Sequence, residues 1–403
     1  MGRVAVTGIG VICALGRNVS EFSRALREGR PAIAPIEGPD ISRLRFTNGA
    51  QLRGYSHSPH FGDREADFLD RFAQFAVVAA REAAADANVE WTPELKADSA
   101  VVTGTCVGGQ NTQDLAFQAL YAQRTGRVNP LSIPKVMANA GASQISMDFG
   151  ITGPSYTFST ACSSAGHAIG HAFRMIKHGE VSMAITGGSE APFSWGILKG
   201  WEAMRVVSTH TCRPFSKGRT GMILGEGAAM FVLEPLEAAR ARGARIHAEI
   251  TGFGMSSDAT HITCPSPEGA SRAMHAALRE AGVMPERVGY INAHGTGTIA
   301  NDVCEATAIR AVFGEHASRI AVSSTKSLHG HALGAAAALE AAATILALRD
   351  GQLPPTANFL GPDPDCDLDV IANEARALQV EHAISNSFAF GGMNAVLAFR
   401  TAL

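Results

Sequence analysis

The stretch Thr157-Phe158-Ser159-Thr160-Ala161-Cys162-Ser163-Ser164-Ala165-Gly166-His167-Ala168-Ile169-Gly170 joins a strand end, a run of small residues and the opening of a helix. The pattern predicts a strand over 156–159 and an apolar-faced helix over 163–177. A cysteine at that junction meets the unpaired N–H groups and positive end of the helix, which stabilise a thiolate and a neighbouring oxyanion. Small neighbours let a substrate approach the sulfur. A buried thiol at a tight turn has the same local signature, so Cys162 by itself leaves both alternatives open.

Outward from this junction, strand and helix patterns alternate along the whole chain. Strands are predicted over 3–7, 99–103 and 182–186, and a long helix over 66–87. Asn18-Val19-Ser20-Glu21 is a capping box for a helix that stops at Gly29. A second series holds strands over 246–252, 288–292 and 320–323, with helices over 269–281, 300–313 and 332–349. This alternation specifies an α/β fold. The 403 residues exceed what one core holds, roughly 250–300. No low-complexity linker intervenes, so two halves, 1–245 and 246–403, are expected to pack as one unit. A short echo links them: Ser159-Thr160 before Gly166-His167-Ala168-Ile169-Gly170, and Ser324-Thr325 before Gly330-His331-Ala332-Leu333-Gly334.

Composition excludes several function classes. Lys+Arg 34 against Asp+Glu 37 gives a net charge of -3, without the basic stripe of a nucleic-acid binder. The apolar start, 4–16, is broken by Thr7, Gly8 and Gly10 and reads as a strand and turn, not a signal core. Met1-Gly2 lacks the Ser or Thr that a myristoylation site needs at position 6, which is Val6. The apolar run 332–349 contains Glu340, so a buried helix and no membrane span is expected. The seven cysteines never form a Cys-x-x-Cys pair, which argues against a disulfide framework and a zinc site. A cytoplasmic enzyme with one special thiol is the expectation.

Three further segments carry chemistry. In Ile291-Asn292-Ala293-His294-Gly295-Thr296-Gly297-Thr298 a histidine follows a strand, where open α/β sheets place catalytic groups, and Thr296 and Thr298 offer hydroxyls to an extended polar ligand. In Ser324-Thr325-Lys326-Ser327-Leu328-His329-Gly330-His331, Lys326 and His331 stand across a turn and are placed to face one pocket. No Asp, Glu or Cys stands at metal-ligand spacing, so no metal is expected. Ser385-Asn386-Ser387-Phe388-Ala389-Phe390-Gly391-Gly392-Met393-Asn394 reads as a flexible gate, with a plain strand and turn as the alternative.

Cys162, His294, Lys326, His331 and the Phe390-Gly391-Gly392 loop, in this order, resemble the β-ketoacyl-acyl-carrier-protein synthases of the elongating I/II type. The resemblance runs from Val4 to Ala395 and includes 221–227 and 354–358. The segments 191–205 and 211–216 are more similar to the nodulation protein E branch and to synthases of specialised polyene pathways. A thiolase would carry a second cysteine where this chain has Phe390-Gly391-Gly392, and a starter-type enzyme pairs its cysteine with His and Asn. A chain-length-factor relative, the auxiliary subunit of a heterodimer, would lack Cys162.

The resemblance implies the thiolase fold: five αβαβα layers built from two similar halves, in a homodimer or in a heterodimer with a chain-length-factor-like homologue. It implies a decarboxylative Claisen condensation in which Cys162 takes an acyl group and malonyl-carrier extends it, in fatty acid or polyketide synthesis. Cys162 and Phe390 would supply the oxyanion-hole amides, and His294 and His331 would drive decarboxylation. Lys326 and Glu305 would hold the histidines, Thr296, Thr298 and Phe388 would touch the pantetheine arm, and Phe390 would gate it. Val107 would border the acyl pocket, with room for longer or unsaturated chains. Arg205 would dock the acyl carrier protein, whose phosphopantetheine arrives with the substrate, so no enzyme-bound cofactor is implied. Two departures stand out: 62–68 holds three acids and one base where relatives carry a basic patch, and Met393 replaces a common Thr.

Overall fold

The first strand, β1 (Val4–Cys13), is buried at every residue, so it needs cover on both faces and extends well past the predicted 3–7. The computed structural model describes residues 2–38 and 40–402. Ten more strands join β1 in one sheet: β2 (Ser99–Gly104), β3 (Ser155–Phe158), β4 (Met183–Glu190), β5 (Gly227–Pro235), β6 (Ala248–Ser257), β7 (Val288–Asn292), β8 (Ala321–Ser323), β9 (Asp369–Val370), β10 (His382–Ala389) and β11 (Met393–Thr401).

Their order repeats. Strands of the first half run β3-β2-β4-β5-β1, and those of the second run β8-β7-β10-β11-β6, with β9 added at the outer edge. In each half three strands are parallel and the last two pairings are antiparallel. The halves meet through a short antiparallel contact, Val4↔Ile250 to Val6↔Ala248.

Helices make the other layers. α1 (Val19–Arg27) starts at Asn18, whose side chain accepts from the Glu21 N–H at 2.9 Å. Glu21 reaches back to the Arg17 N–H at 2.8 Å, one residue before the cap, so the capping box closes one position early. α2 (Arg71–Ala87) covers the outer face of the first half, and α4 (Pro267–Ala281) and α5 (Ile299–Phe313) cover that of the second. Between the halves lie α3 (Ser164–His178) and α6 (Ala336–Asp350), sharing one core with strands of both. From Ala336 to Leu348, α6 is buried on every side, hence its near-uniform apolar sequence. The result is the five-layered αβαβα thiolase fold.

Glycines show how closely the layers approach. A Cβ on Gly8 or Gly10 of β1 would lie 2.0 Å from the Ala83 carbonyl oxygen or 1.9 Å from that of Ala79, both on α2. In the second half, Gly252 and Gly254 of β6 stand 2.3 Å from the Ala277 oxygen and 1.9 Å from the Ala273 oxygen of α4 in the same way.

Some predicted boundaries move. The helix expected over 66–87 is interrupted: a short turn, Asp63–Ala66, ends, and α2 begins after Asp70. Asp70 caps it through the Phe72 N–H at 3.3 Å while its other oxygen accepts from the Thr112 N–H and hydroxyl at 2.8 and 2.7 Å. The expected helix at 332 starts at Ala336, after a 3₁₀ turn. The two echoing strings each follow the third strand of their half, yet Gly166–Gly170 lies inside α3 while Gly330–Gly334 precedes α6. Among the described residues no helix is long and apolar enough to cross a membrane.

Candidate active site

Four carboxyl ends of parallel strands, β3, β7, β8 and β10, lead into the segments that carry Cys162, His294, Lys326 with His331, and Phe390. Open α/β sheets place ligand sites at such ends. Ala161 takes a left-handed φ of 52°, which turns the chain sharply from β3 and presents Cys162 just ahead of α3. Hydroxyls hold this elbow: Ser163 donates to the Thr160 carbonyl at 2.8 Å, and Ser164 donates to that of Ala161 at 2.6 Å. The Phe390 N–H donates toward the sulfur. Burial pushes the Cys162 thiol up to about 12, although Lys326 pulls the other way. The expected resting thiolate is therefore not favoured in the closed pocket, because dehydration outweighs the nearby positive charge.

His294 follows β7, and its N–H and that of Gly295 donate to Glu305 at 2.8 and 2.7 Å. Asn386 donates to the same carboxylate at 3.0 Å. Burial lifts Glu305 to about 7. The Lys326 ammonium reaches His294 Nδ1 at 3.2 Å and the His294 carbonyl at 2.7 Å, and pairs with Glu340. Lys326 thus binds His294, not the His331 that stands near it in sequence. The Leu333 N–H donates to His331 Nδ1 at 3.2 Å. An ammonium and an amide only donate, so both Nδ1 atoms accept and both rings carry their proton on Nε2. The rings meet edge to face, centroids 5.4 Å apart at 85°. Burial, and then the Lys326 charge, lower both histidines well below their usual 6.5 and keep them neutral.

Cys162, His294 and His331 line a cavity of about 200 Å³ with Thr296, Thr298, Phe388 and Phe390, whereas Lys326 and Glu305 stand behind its wall. The threonine hydroxyls lie 2.9 Å apart, and the Phe388 ring is 6.2 Å from that of His294. The segment read as a flexible gate is mostly strand: β10 is buried from Ala383 to Ala389, and only Phe390–Gly392 forms the turn. Val107 is not among the cavity's lining residues; its N–H is held by Glu190 at 3.3 Å. Arg205 is exposed at the end of helix Trp195–Met204, in a neighbouring cleft with Arg45 and Trp201. Among the described residues no cluster of three or more His, Cys, Asp or Glu is arranged to hold a metal ion.

Sequence reasoning missed three contributors. Glu340, used only to argue against a membrane span, is the buried partner of Lys326, and a lone acid in an apolar helix was the available signal. Glu190, the last residue of β4, binds the Cys106 N–H at 2.6 Å and the Gly334 N–H at 3.0 Å, tying the two halves together beside His331. Trp201 lines the cavity and stacks on Phe390, a contact between residues far apart in the chain.

Family models agree with this site. Residues 1–239 match the β-ketoacyl synthase N-terminal domain, and 247–360 match its C-terminal domain. The chain is 46% identical over 399 residues to nodulation protein E of Rhizobium sp. (strain N33), covering 99% of each. It is 41% identical over 405 residues to 3-oxoacyl-[acyl-carrier-protein] synthase 2 of Staphylococcus aureus (strain COL), covering 99% of this chain and 98% of that one. Its structure resembles the ishigamide ketosynthase/chain length factor with a TM-score of 0.95, 36% identity and complete coverage of both chains. With a thiol and two Nε2–H donors converging on one cavity, the chain belongs to the β-ketoacyl synthase family and is a condensing acyltransferase.

Proposed function

We propose that the chain is an elongating 3-oxoacyl-[acyl-carrier-protein] synthase with Cys162 as nucleophile and His294 and His331 as the decarboxylation pair. The observation that carries this reading is the orientation of the two neutral histidines, whose Nδ1 atoms are occupied by Lys326 and by the Leu333 N–H.

In the first step the Cys162 sulfur attacks the carbonyl of an acyl-carrier thioester. The carrier thiol leaves with the proton given up by Cys162, and an acyl-enzyme remains. In the second step malonyl-carrier binds and loses CO₂. Its thioester oxygen becomes an enolate oxygen, and the Nε2–H groups of His294 and His331 stabilise that charge. The enolate carbon then attacks the acyl carbonyl. The resulting oxyanion is held by the N–H groups of Cys162 and Phe390, each worth roughly 10²–10³ in rate. Collapse expels the Cys162 thiolate, which regains a proton, and releases 3-oxoacyl-carrier.

Lys326 and Glu305 act as positioning residues. Thr296, Thr298 and Phe388 flank the pantetheine arm, which belongs to the substrate; no enzyme-bound cofactor takes part. Phe390 gates that arm and Arg205 docks the carrier, while Val107, outside the cavity described above, is assigned to the acyl pocket by the family resemblance alone. The division into residues 1–245 and 246–403 is supported by the repeated strand order. The enzyme works in the cytoplasm, as a homodimer or paired with a chain-length-factor-like homologue, the arrangement named for the ishigamide relative.

Intact-mass spectrometry with acyl-carrier thioesters, beside Cys162→Ala, tests the reading. An acyl adduct on the wild type alone, discharged to ketoacyl product when malonyl-carrier is added, is the expected result. Discharge without a malonyl donor points to thiolase-type transfer. No adduct with any carrier or coenzyme A thioester points to an auxiliary subunit.

A further inference from the structure

A gate at Phe390 needs something to hold it shut. The Phe390 ring lies near-parallel to the indole of Trp201, centroids 6.1 Å apart at 27°. Both rings line the cavity that contains Cys162. Trp201 also lines a second cleft, open to the surface, with Arg45, Glu202 and Arg205. Trp201 therefore borders both the reaction cavity and the cleft beside Arg205.

The elements on either side differ in freedom. Trp201 sits in the last turns of helix Trp195–Met204, whose end is set by the left-handed φ of 56° at Arg205. Phe390 is followed by Gly391 and Gly392 at φ 82° and 71°, a region that favours glycine and makes this turn the natural hinge. The Gly391 N–H donates to the Ile262 carbonyl at 2.7 Å, which anchors one side of the hinge to a segment that also lines the cavity. The Phe390 N–H also faces Cys162, so one movement shifts both the ring and this amide.

We propose that Trp201 is the clasp of the Phe390 gate: its stack on Phe390 keeps the gate closed over Cys162, and an acyl carrier protein seated in the Arg45–Arg205 cleft displaces the indole and frees it. This rests on the reading of Phe390 as the gate and of an acyl carrier as the donor. Trp201 touches no reacting atom and is a positioning residue. A stacked aromatic pair shifts a closed–open equilibrium by roughly twofold to tenfold.

The test is the rate at which iodoacetamide alkylates Cys162, read on the peptide that carries it, in wild type, Trp201→Phe, Trp201→Ala, Phe390→Ala and the Trp201→Ala/Phe390→Ala double variant. Trp201→Leu replaces Trp201→Ala if the latter does not fold. The expected result is a roughly twofold to tenfold faster reaction for Trp201→Ala, a rate near wild type for Trp201→Phe, and no further gain in the double variant over Phe390→Ala. Acylation from an acyl-N-acetylcysteamine thioester should rise in Trp201→Ala while acylation from acyl-carrier does not, so the carrier-to-free ratio falls. An unchanged alkylation rate in Trp201→Ala, or independent addition in the double variant, overturns the clasp. If Phe390→Ala itself leaves alkylation unchanged, the gate reading fails, and the clasp with it. If Phe390→Ala accelerates the reaction and Trp201→Ala does not, only the clasp falls.

Discussion

Lys326 is fully buried and has three partners: His294 Nδ1 at 3.2 Å, the His294 carbonyl at 2.7 Å and the carboxylate of Glu340. Among the described residues the second oxygen of Glu340 has no hydrogen-bond partner, so its charge is balanced by Lys326. Lys326→Met strands that carboxylate and should cost about 3–5 kcal/mol of stability together with most of the turnover. Adding Glu340→Met should return most of the stability without the activity, because paired apolar replacements tolerate burial. Thermal denaturation and product assays on both variants separate the two roles. The histidines give a pH prediction. Both pKa values are lowered, so the neutral Nε2–H form persists well below 6.5 and neither ring should titrate between pH 6 and 7, which NMR of the imidazole resonances checks. A ring midpoint near 6.5 would show that the rings titrate as exposed histidines do. The sign for stability is the opposite of protective: below 6.5 the unfolded chain binds protons that the folded histidines refuse, so these two groups lower stability as pH falls.

At the scale of elements, the helix-on-strand contacts at Gly10 and Gly254 make a symmetric prediction. Each glycine faces a helix carbonyl at a distance of 1.9 Å from an added Cβ, so Gly10→Ala and Gly254→Ala should each destabilise by about 3 kcal/mol or more, and to similar extents. Among the described residues nothing lies within 4 Å of a Cβ on Gly200, inside helix Trp195–Met204, and Gly200→Ala should stabilise by about 0.5–1 kcal/mol. Denaturant titration reads all three. Element types were legible because burial leaves its period in the sequence, but boundaries were not. The helix predicted over 66–87 breaks before Asp70 because that carboxylate is committed both to capping α2 and to Thr112, a residue of another segment. The segment up to Phe390 read as a gate because its aromatics alternate with small residues and end in Gly391-Gly392, whereas that alternation belongs to a buried strand and only the glycines turn.

For the whole molecule, the site exists only where the halves meet: Cys162 comes from the first and His294, Lys326 and His331 from the second. The docking proposed at exposed Arg205 would make the reaction sensitive to surface charge. Arg205→Glu should raise KM for acyl-carrier roughly threefold to tenfold, more at low salt, and leave a free acyl thioester unaffected. Steady-state kinetics at two ionic strengths check this. Strand β3 ends the sheet with one side unpaired, and Leu115, Phe117, Tyr121 and Ile133 are exposed. Purified alone, the chain is expected to sediment as a homodimer through this edge; a monomer of 42.1 kDa would point to a different subunit as the partner.

From the sequence came the alternation of elements and the two-part plan, because burial leaves an apolar period along the chain, and Cys162, His294 and His331 stood out as candidates through their order and the family they resemble. Tertiary structure alone decided which residues serve them. Glu340 is chosen for Lys326 by the burial of α6, Glu190 for the loop at Cys106 by the closure of one half on the other, and Trp201 for Phe390 by the approach of a surface helix. Such pairings depend on distance in space, and separation along the chain carries no record of it.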